Sequence, residues 1–209
     1  MVRIKICGIT CREDALAAVR AGADTLGFVF YERSPRHIPP EQAAAICRCV
    51  PATIGKVGVF VDEDLEEVKR THRRCGLTAV QLHGSESPEF CESFSDVAVW
   101  KAFRIRSPRD LASLSQYSGL DAILVDGFHP DQRGGSGVRA PWSLLEGLSR
   151  RVRLILAGGL TPENIQEAVR RVAPFMVDVS SGVERAPGKK DPGRMIRLIQ
   201  TVRALEPEG

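Results

Sequence analysis

Arg153-Leu154-Ile155-Leu156-Ala157-Gly158-Gly159-Leu160-Thr161-Pro162-Glu163 is the stretch whose reading decides the fold. Residues 153–157, dominated by Leu and Ile, read as a short strand covered on both faces, as in a parallel sheet flanked by helices. Two glycines close it. Thr161 then offers an N-cap and Pro162 suits a first helical position, so a helix is predicted over 162–172. This strand, turn and helix make one βα unit, and the unit recurs outward in both directions. Further strand-like runs lie at 2–6, 25–30, 55–61, 79–82, 97–103, 122–125 and 175–179. Amphipathic stretches lie between them at 12–21, 40–49 and 64–75, and a last helix is predicted at 192–204. Eight alternations predict an α/β fold, a single (β/α)8 TIM barrel spanning 1–209 as one catalytic domain.

The rival architecture, an open doubly wound sheet, places a Gly-rich dinucleotide turn after its first strand. Here that turn reads Cys7-Gly8-Ile9-Thr10-Cys11 and lacks the G-x-G-x-x-G spacing. A chain of 209 residues, 43% hydrophobic, is long enough for one substantial core and too short for a second catalytic domain. Its 29 Lys and Arg exceed its 26 Asp and Glu by three and are spread along the chain. That pattern argues against a nucleic-acid or membrane surface and remains compatible with a small anionic substrate. The chain enters a strand pattern at Met1-Val2-Arg3-Ile4-Lys5 rather than a signal peptide, so a cytoplasmic location is expected. Six cysteines, at 7, 11, 47, 49, 75 and 91, are too few and irregular for a disulfide scaffold.

In such a barrel, chemistry belongs at the carboxyl ends of the strands, which singles out Cys7, Asp126, Asp178 and Ser180. Cys7 is either an inert buried thiol or a base. As a base it acts only as thiolate, a few per cent of a thiol of pKa ~8.5 at neutral pH unless cations such as Lys5 on the same strand face help. Asp126 is a solvated loop residue or a proton donor at the mouth, and Asp178 has a sugar-binding role or pairs with a buried cation such as Lys5. Gly158-Gly159 after the seventh strand and Ser180-Ser181-Gly182 after the eighth are small-residue turns in the two places where this fold often holds a phosphate. Arg36, stiffened by Pro35, is a surface charge or a fork for a planar carboxylate. His83 is as readily a structural imidazole as a substrate contact, and no chemistry is assigned to it. The longest irregular segment, 127–141 with Gly134-Gly135-Ser136-Gly137, follows the sixth strand and should overhang the active face.

Five ordered segments, Lys5-Ile6-Cys7-Gly8-Ile9-Thr10, Ser34-Pro35-Arg36-His37-Ile38, Gln81-Leu82-His83-Gly84, Leu156-Ala157-Gly158-Gly159-Leu160 and Val177-Asp178-Val179-Ser180-Ser181-Gly182, resemble the phosphoribosylanthranilate isomerase family of tryptophan biosynthesis. The resemblance runs from Val2 to about Asp191. It implies an Amadori rearrangement of N-(5-phosphoribosyl)anthranilate to 1-(2-carboxyphenylamino)-1-deoxyribulose 5-phosphate, with Asp126 as general acid, Cys7 as general base and Arg36 on the anthranilate carboxylate. It also implies no redox cofactor and no metal, a small phosphorylated substrate as the partner, and a monomer or homodimer. Two departures stand out: Val138-Arg139-Ala140-Pro141-Trp142 in the loop after strand six, and Cys11, four residues beyond Cys7 and a candidate for disulfide bridging or for simple packing under the helix. The competing readings are another phosphate-binding barrel isomerase or epimerase of sugar metabolism, and a zinc- or redox-responsive protein using Cys7, Cys11, Cys47, Cys49, His72 and Cys75. Only Cys7 and Cys11 have zinc-like spacing.

Overall fold

Short runs rich in Val, Ile and Leu pair edge to edge because each strand buries both faces, one toward the barrel axis and one toward the helices. In the computed structural model, which describes residues 1–127 and 141–205, these runs become β1 Arg3–Cys7, β2 Thr25–Val29, β3 Gly55–Phe60, β4 Ala79–Leu82, β5 Ala98–Arg104, β6 Ala122–Asp126, β7 Leu154–Leu156 and β8 Met176–Val179. They pair in parallel in sequence order, and β8 returns to β1 to close the barrel. Strand β1 lies one residue later than expected. Cys7 pairs with Gly27, and the N–H groups of Gly8 and Ile9 both donate to Gly27 O, so Cys7 is the last residue of the strand.

The helices α1 Arg12–Ala21, α2 Pro40–Cys49, α3 Leu65–Cys75, α4 Pro88–Glu92, α5 Pro108–Ala112, α6 Trp142–Leu145, α7 Ile165–Val172 and α8 Pro192–Arg203 lie between or after the strands. Their ends follow local chemistry. Asp64 caps α3 through the N–H groups of Glu66 and Glu67, and α1 and α3 stop at Gly22 and Gly76, both left-handed. The predicted start of α7 is corrected: the helix begins at Ile165, not at Pro162. Thr161 Oγ1 accepts from Glu163 N in a preceding turn, while the Asn164 side chain folds back onto Thr161 N at 2.9 Å and Gly159 O at 2.8 Å. An unexpected antiparallel hairpin, β9 Glu184–Ala186 and β10 Lys189–Lys190, follows β8.

The core forms two concentric shells. A large cluster fills the space between strands and helices, and a smaller one, including Leu124, Ile155, Ala157 and Met176, fills the barrel. Above that inner cluster lies a polar belt. Lys5, fully buried, donates to Gln81 Oε1 at 2.7 Å and to Asp178 Oδ2 at 2.8 Å. Burial alone would lower the Lys5 pKa, but the carboxylate of Asp178 and the nearby Cys7 raise it overall, so Lys5 stays charged.

Breaking one partner of such a buried pair strands the other charge. Lys5→Met should therefore destabilise the fold by about 3–5 kcal/mol, read as a lower urea midpoint, and adding Asp178→Leu should recover most of the loss. If the double variant is no more stable than Lys5→Met, the pair does not carry this energy.

Candidate active site

At the carboxyl ends of the strands the barrel opens into a cavity. Cys7, Arg36, Asp126, Gly158, Gly159, Asp178, Ser180 and Ser181 all line it. Gly182, the remaining residue singled out from sequence, lines an adjoining depression shared with Gly159, Thr161, Ser181 and Arg194. Residues far apart in the chain thus converge on one opening.

Cys7 enters the cavity from β1 because β2 offers no side chain opposite it: a Cβ on Gly27 would come within 2.7 Å of Cys7 Sγ and 2.9 Å of Lys5 Cε. Burial pushes the Cys7 thiol up, and this outweighs the opposing pull of Lys5 and Lys190. The help expected from Lys5 is present in sign and insufficient in size. Asp126, at the end of β6 and 4% exposed, accepts from Gly127 N through Oδ1 at 2.7 Å. Its Oδ2 stands 3.4 Å from His83 Nε2.

His83 belongs to a chain whose polarity can be deduced. An ammonium only donates, so the Gln81 atom facing Lys5 is the carbonyl oxygen, and the Gln81 amide nitrogen faces His83 Nδ1 at 2.9 Å. An amide NH2 only donates as well. Nδ1 of the neutral ring is then the acceptor, and the ring proton sits on Nε2, which lies near Asp126 but makes no hydrogen bond among the described residues. Gln81 therefore extends the influence of Lys5 as far as the His83 ring. Sequence inspection left both unassigned. The available signal was strand parity, since Gln81 and His83 alternate inward on β4 as Lys5 and Cys7 do on β1.

The two small-residue turns interlock. Gly158 and Gly159 both have left-handed φ, and the buried Asn164 amide ties Gly159 O to the start of the next turn. Ser181–Val183 forms a single 3-10 turn, whose first N–H groups have no carbonyl within it to bond. Gly182 lies against the Leu160 carbonyl, where a Cβ would collide with the backbone oxygen. The paired loops line the depression beside Gly159 and Ser181, together with Thr161, Glu163 and Arg194.

Arg36 approaches from the loop after β2 with its stem across Gly8, where a Cβ would sit 2.7 Å from Arg36 Cδ. Its Nε and Nη2 pair with the carboxylate of Glu184. The other cysteines lie elsewhere. Cys47, Cys49 and Cys75 are on α2 and α3, where burial drives Cys47 to about 12 and Cys75 to about 11, and Cys11 is the N-cap residue of α1. All six are free thiols, so no Cys7 to Cys11 bridge is present. Among the described residues no three His, Cys, Asp or Glu side chains converge as a metal site. The expected overhanging loop, with Gly134-Gly135-Ser136-Gly137 and Arg139, falls at 128–140, outside the described residues.

Residues 4–201 match the family model of N-(5'-phosphoribosyl)anthranilate (PRA) isomerase. The chain belongs to the phosphoribosylanthranilate isomerase family. An N-(5'-phosphoribosyl)anthranilate isomerase from Citrifermentans bemidjiense is 50% identical over 205 residues, 98% of each chain. The crystal structure of phosphoribosyl anthranilate isomerase from Thermotoga maritima matches with a TM-score of 0.91 at 43% identity, over 98% of this chain and all of that one. Another solved phosphoribosylanthranilate isomerase, in complex with reduced 1-(o-carboxyphenylamino)-1-deoxyribulose 5-phosphate, matches with a TM-score of 0.88, 43% identity and coverage of 98% and 100%. As a phosphoribosylanthranilate isomerase family member, the chain is an isomerase of tryptophan biosynthesis, and the competing sugar-epimerase and zinc-protein readings give way.

The deduced polarity is directly observable. With 15N-labelled histidine, at a pH where the ring is neutral, NMR should show His83 protonated at Nε2 and bare at Nδ1. The reverse tautomer would break the connection from Lys5 to the His83 ring.

Proposed function

We propose that this cavity isomerises N-(5-phosphoribosyl)anthranilate by acid–base catalysis, with Asp126 as the general acid and Cys7 as the general base. The observation that carries the assignment is that a thiol and a carboxyl, from β1 and β6, line one cavity with a guanidinium and the two small-residue turns. The phosphate docks on Gly158, Gly159, Ser180, Ser181 and Gly182, and Arg36 takes the anthranilate carboxylate. Between these anchors lies the sugar.

Asp126 gives its proton to the furanose oxygen, the C1–O bond breaks, and the nitrogen lone pair forms the C1=N iminium. Gly127 N–H donates to the carboxylate that results. The iminium acidifies C2–H. Cys7 thiolate removes that proton, the C2–H electrons form C1=C2, and the nitrogen recovers its pair as an enolamine that tautomerises to the ketone. Every step is a proton shift within one molecule, so no external redox partner is called for. Asp178, with Oδ1 unbonded to protein and lining the cavity, is suited to a sugar hydroxyl while Oδ2 holds Lys5.

On this reading the chain, 1–209, is one catalytic domain acting in the cytoplasm on a small phosphorylated substrate, without nucleic acid. No helix among the described residues is long and apolar enough to cross a membrane. The site is assembled from one chain, which suits a monomer or a homodimer, and one solved relative is a monomeric form of the dimeric phosphoribosylanthranilate isomerase of Thermotoga maritima.

Cys7→Ser and Asp126→Asn should each remove most of kcat with little change in KM, followed by the loss of phosphoribosylanthranilate fluorescence. Because burial raises the Cys7 thiol, the rate at which an alkylating reagent modifies Cys7 should climb through neutral pH and level off only above the ordinary thiol range of ~8.5, as the thiolate accumulates. Wild-type turnover in either variant would remove the assignment.

Arg36→Met should act on binding, raising KM about 10- to 100-fold for loss of a charge-assisted pair worth ~1.5–3 kcal/mol. An unchanged KM would return Arg36 to a structural role.

A further inference from the structure

We propose that Glu184 is a positioning residue that presents the free edge of Arg36 to the substrate's carboxylate, with Lys190 bracing Glu184 against the ends of β1 and β8. This deepens the reading of Arg36 given above and rests on it. A guanidinium has two edges able to grip a carboxylate side by side, Nε with Nη2 and Nη1 with Nη2. Glu184 occupies the first: Arg36 Nε lies 2.9 Å from Oε1 and 3.2 Å from Oε2, and Nη2 lies 2.8 Å from Oε2. Nη1 has no protein partner among the described residues, and Arg36 lines the cavity. With the Nε edge held and the stem laid across Gly8, the guanidinium cannot swing, and the open edge is the one left for a ligand.

Glu184 is itself immobilised. It is 6% exposed at the start of the β9–β10 hairpin, and the fully buried Lys190 from the same hairpin donates to its Oε1 at 2.8 Å. The remaining ammonium protons of Lys190 reach the carbonyl oxygens of Cys7 and Ser180. One ammonium thereby joins the guanidinium's anchor to the backbone of the proposed base and of a proposed phosphate turn. Charge counting agrees with an anionic ligand. Two cations, Arg36 and Lys190, share one carboxylate, leaving one positive charge to be met from the cavity.

The test compares two inhibitors, reduced 1-(2-carboxyphenylamino)-1-deoxyribulose 5-phosphate and its analogue without the ring carboxyl, by calorimetry. Glu184→Gln should weaken the carboxylated ligand about tenfold, as expected for a disordered charge-assisted pair, and leave the other within about twofold. Added to Arg36→Met, the same change should cost little more, because both act through one guanidinium. Equal weakening of both ligands, or of neither, would overturn the proposal. If Arg36→Met does not separate the two ligands, the carboxylate reading of Arg36 fails and the proposal with it. If Arg36→Met separates them and Glu184→Gln does not, only the positioning role fails. Glu184→Asp, which keeps the charge and withdraws the carboxylate by one methylene, carries the comparison should the glutamine variant not fold, and the same selective weakening is expected of it.

Discussion

The Lys5 ammonium sits inside the barrel, out of reach of water, and the site is organised around the need to satisfy it. A lone buried cation is prohibitively costly, so Asp178 supplies charge and Gln81 supplies a carbonyl. Each of these obligations passes something on. Asp178 is held at the mouth with one oxygen still unbonded, and Gln81 is locked in the orientation that sets the His83 tautomer. One interaction thus orients groups on β1, β8 and in and just beyond β4, without any of them touching a common ligand.

Cys7 shows the opposing side of burial. The wall that gives the thiol a defined place beside Gly27 also withholds the solvation a thiolate needs, and Lys5 and Lys190 recover part of that loss without cancelling it. For the proposed role, a base that takes a proton from an iminium-activated carbon, this is a workable compromise. A thiolate stripped of water is scarce and correspondingly reactive, and in the proposed reaction it meets a substrate whose own positive charge appears at the moment of transfer.

On the proposed reading, anion recognition is distributed between rigid and mobile chemistry in a way that suits a substrate charged at both ends. The turns proposed for the phosphate are held by the contact of Gly182 with Leu160 and by the Asn164 tether. The carboxylate end relies on a long Arg side chain, and there the hairpin after β8 provides the restraint that the side chain lacks by itself.

Residue sequence alone determined the barrel, since βα alternation and buried apolar runs are local signals that pairing merely confirms. It also picked out Cys7, Asp126 and Asp178, because a polar residue closing an apolar strand is conspicuous and parity points it inward. What the sequence did not disclose was partnership. Lys5 finds Gln81 and Asp178 at separations of 76 and 173 residues, and Arg36 finds Glu184 at 148. Which residues of eight strands share a layer depends on the stagger of the closed sheet, a global quantity that no window of sequence contains. The balance that leaves Cys7 a raised thiol, the hairpin that carries Glu184 and Lys190, and the Asn164 tether that shortened α7 likewise exist only once distant segments have been brought together, for burial is a property of the surroundings and not of the residue.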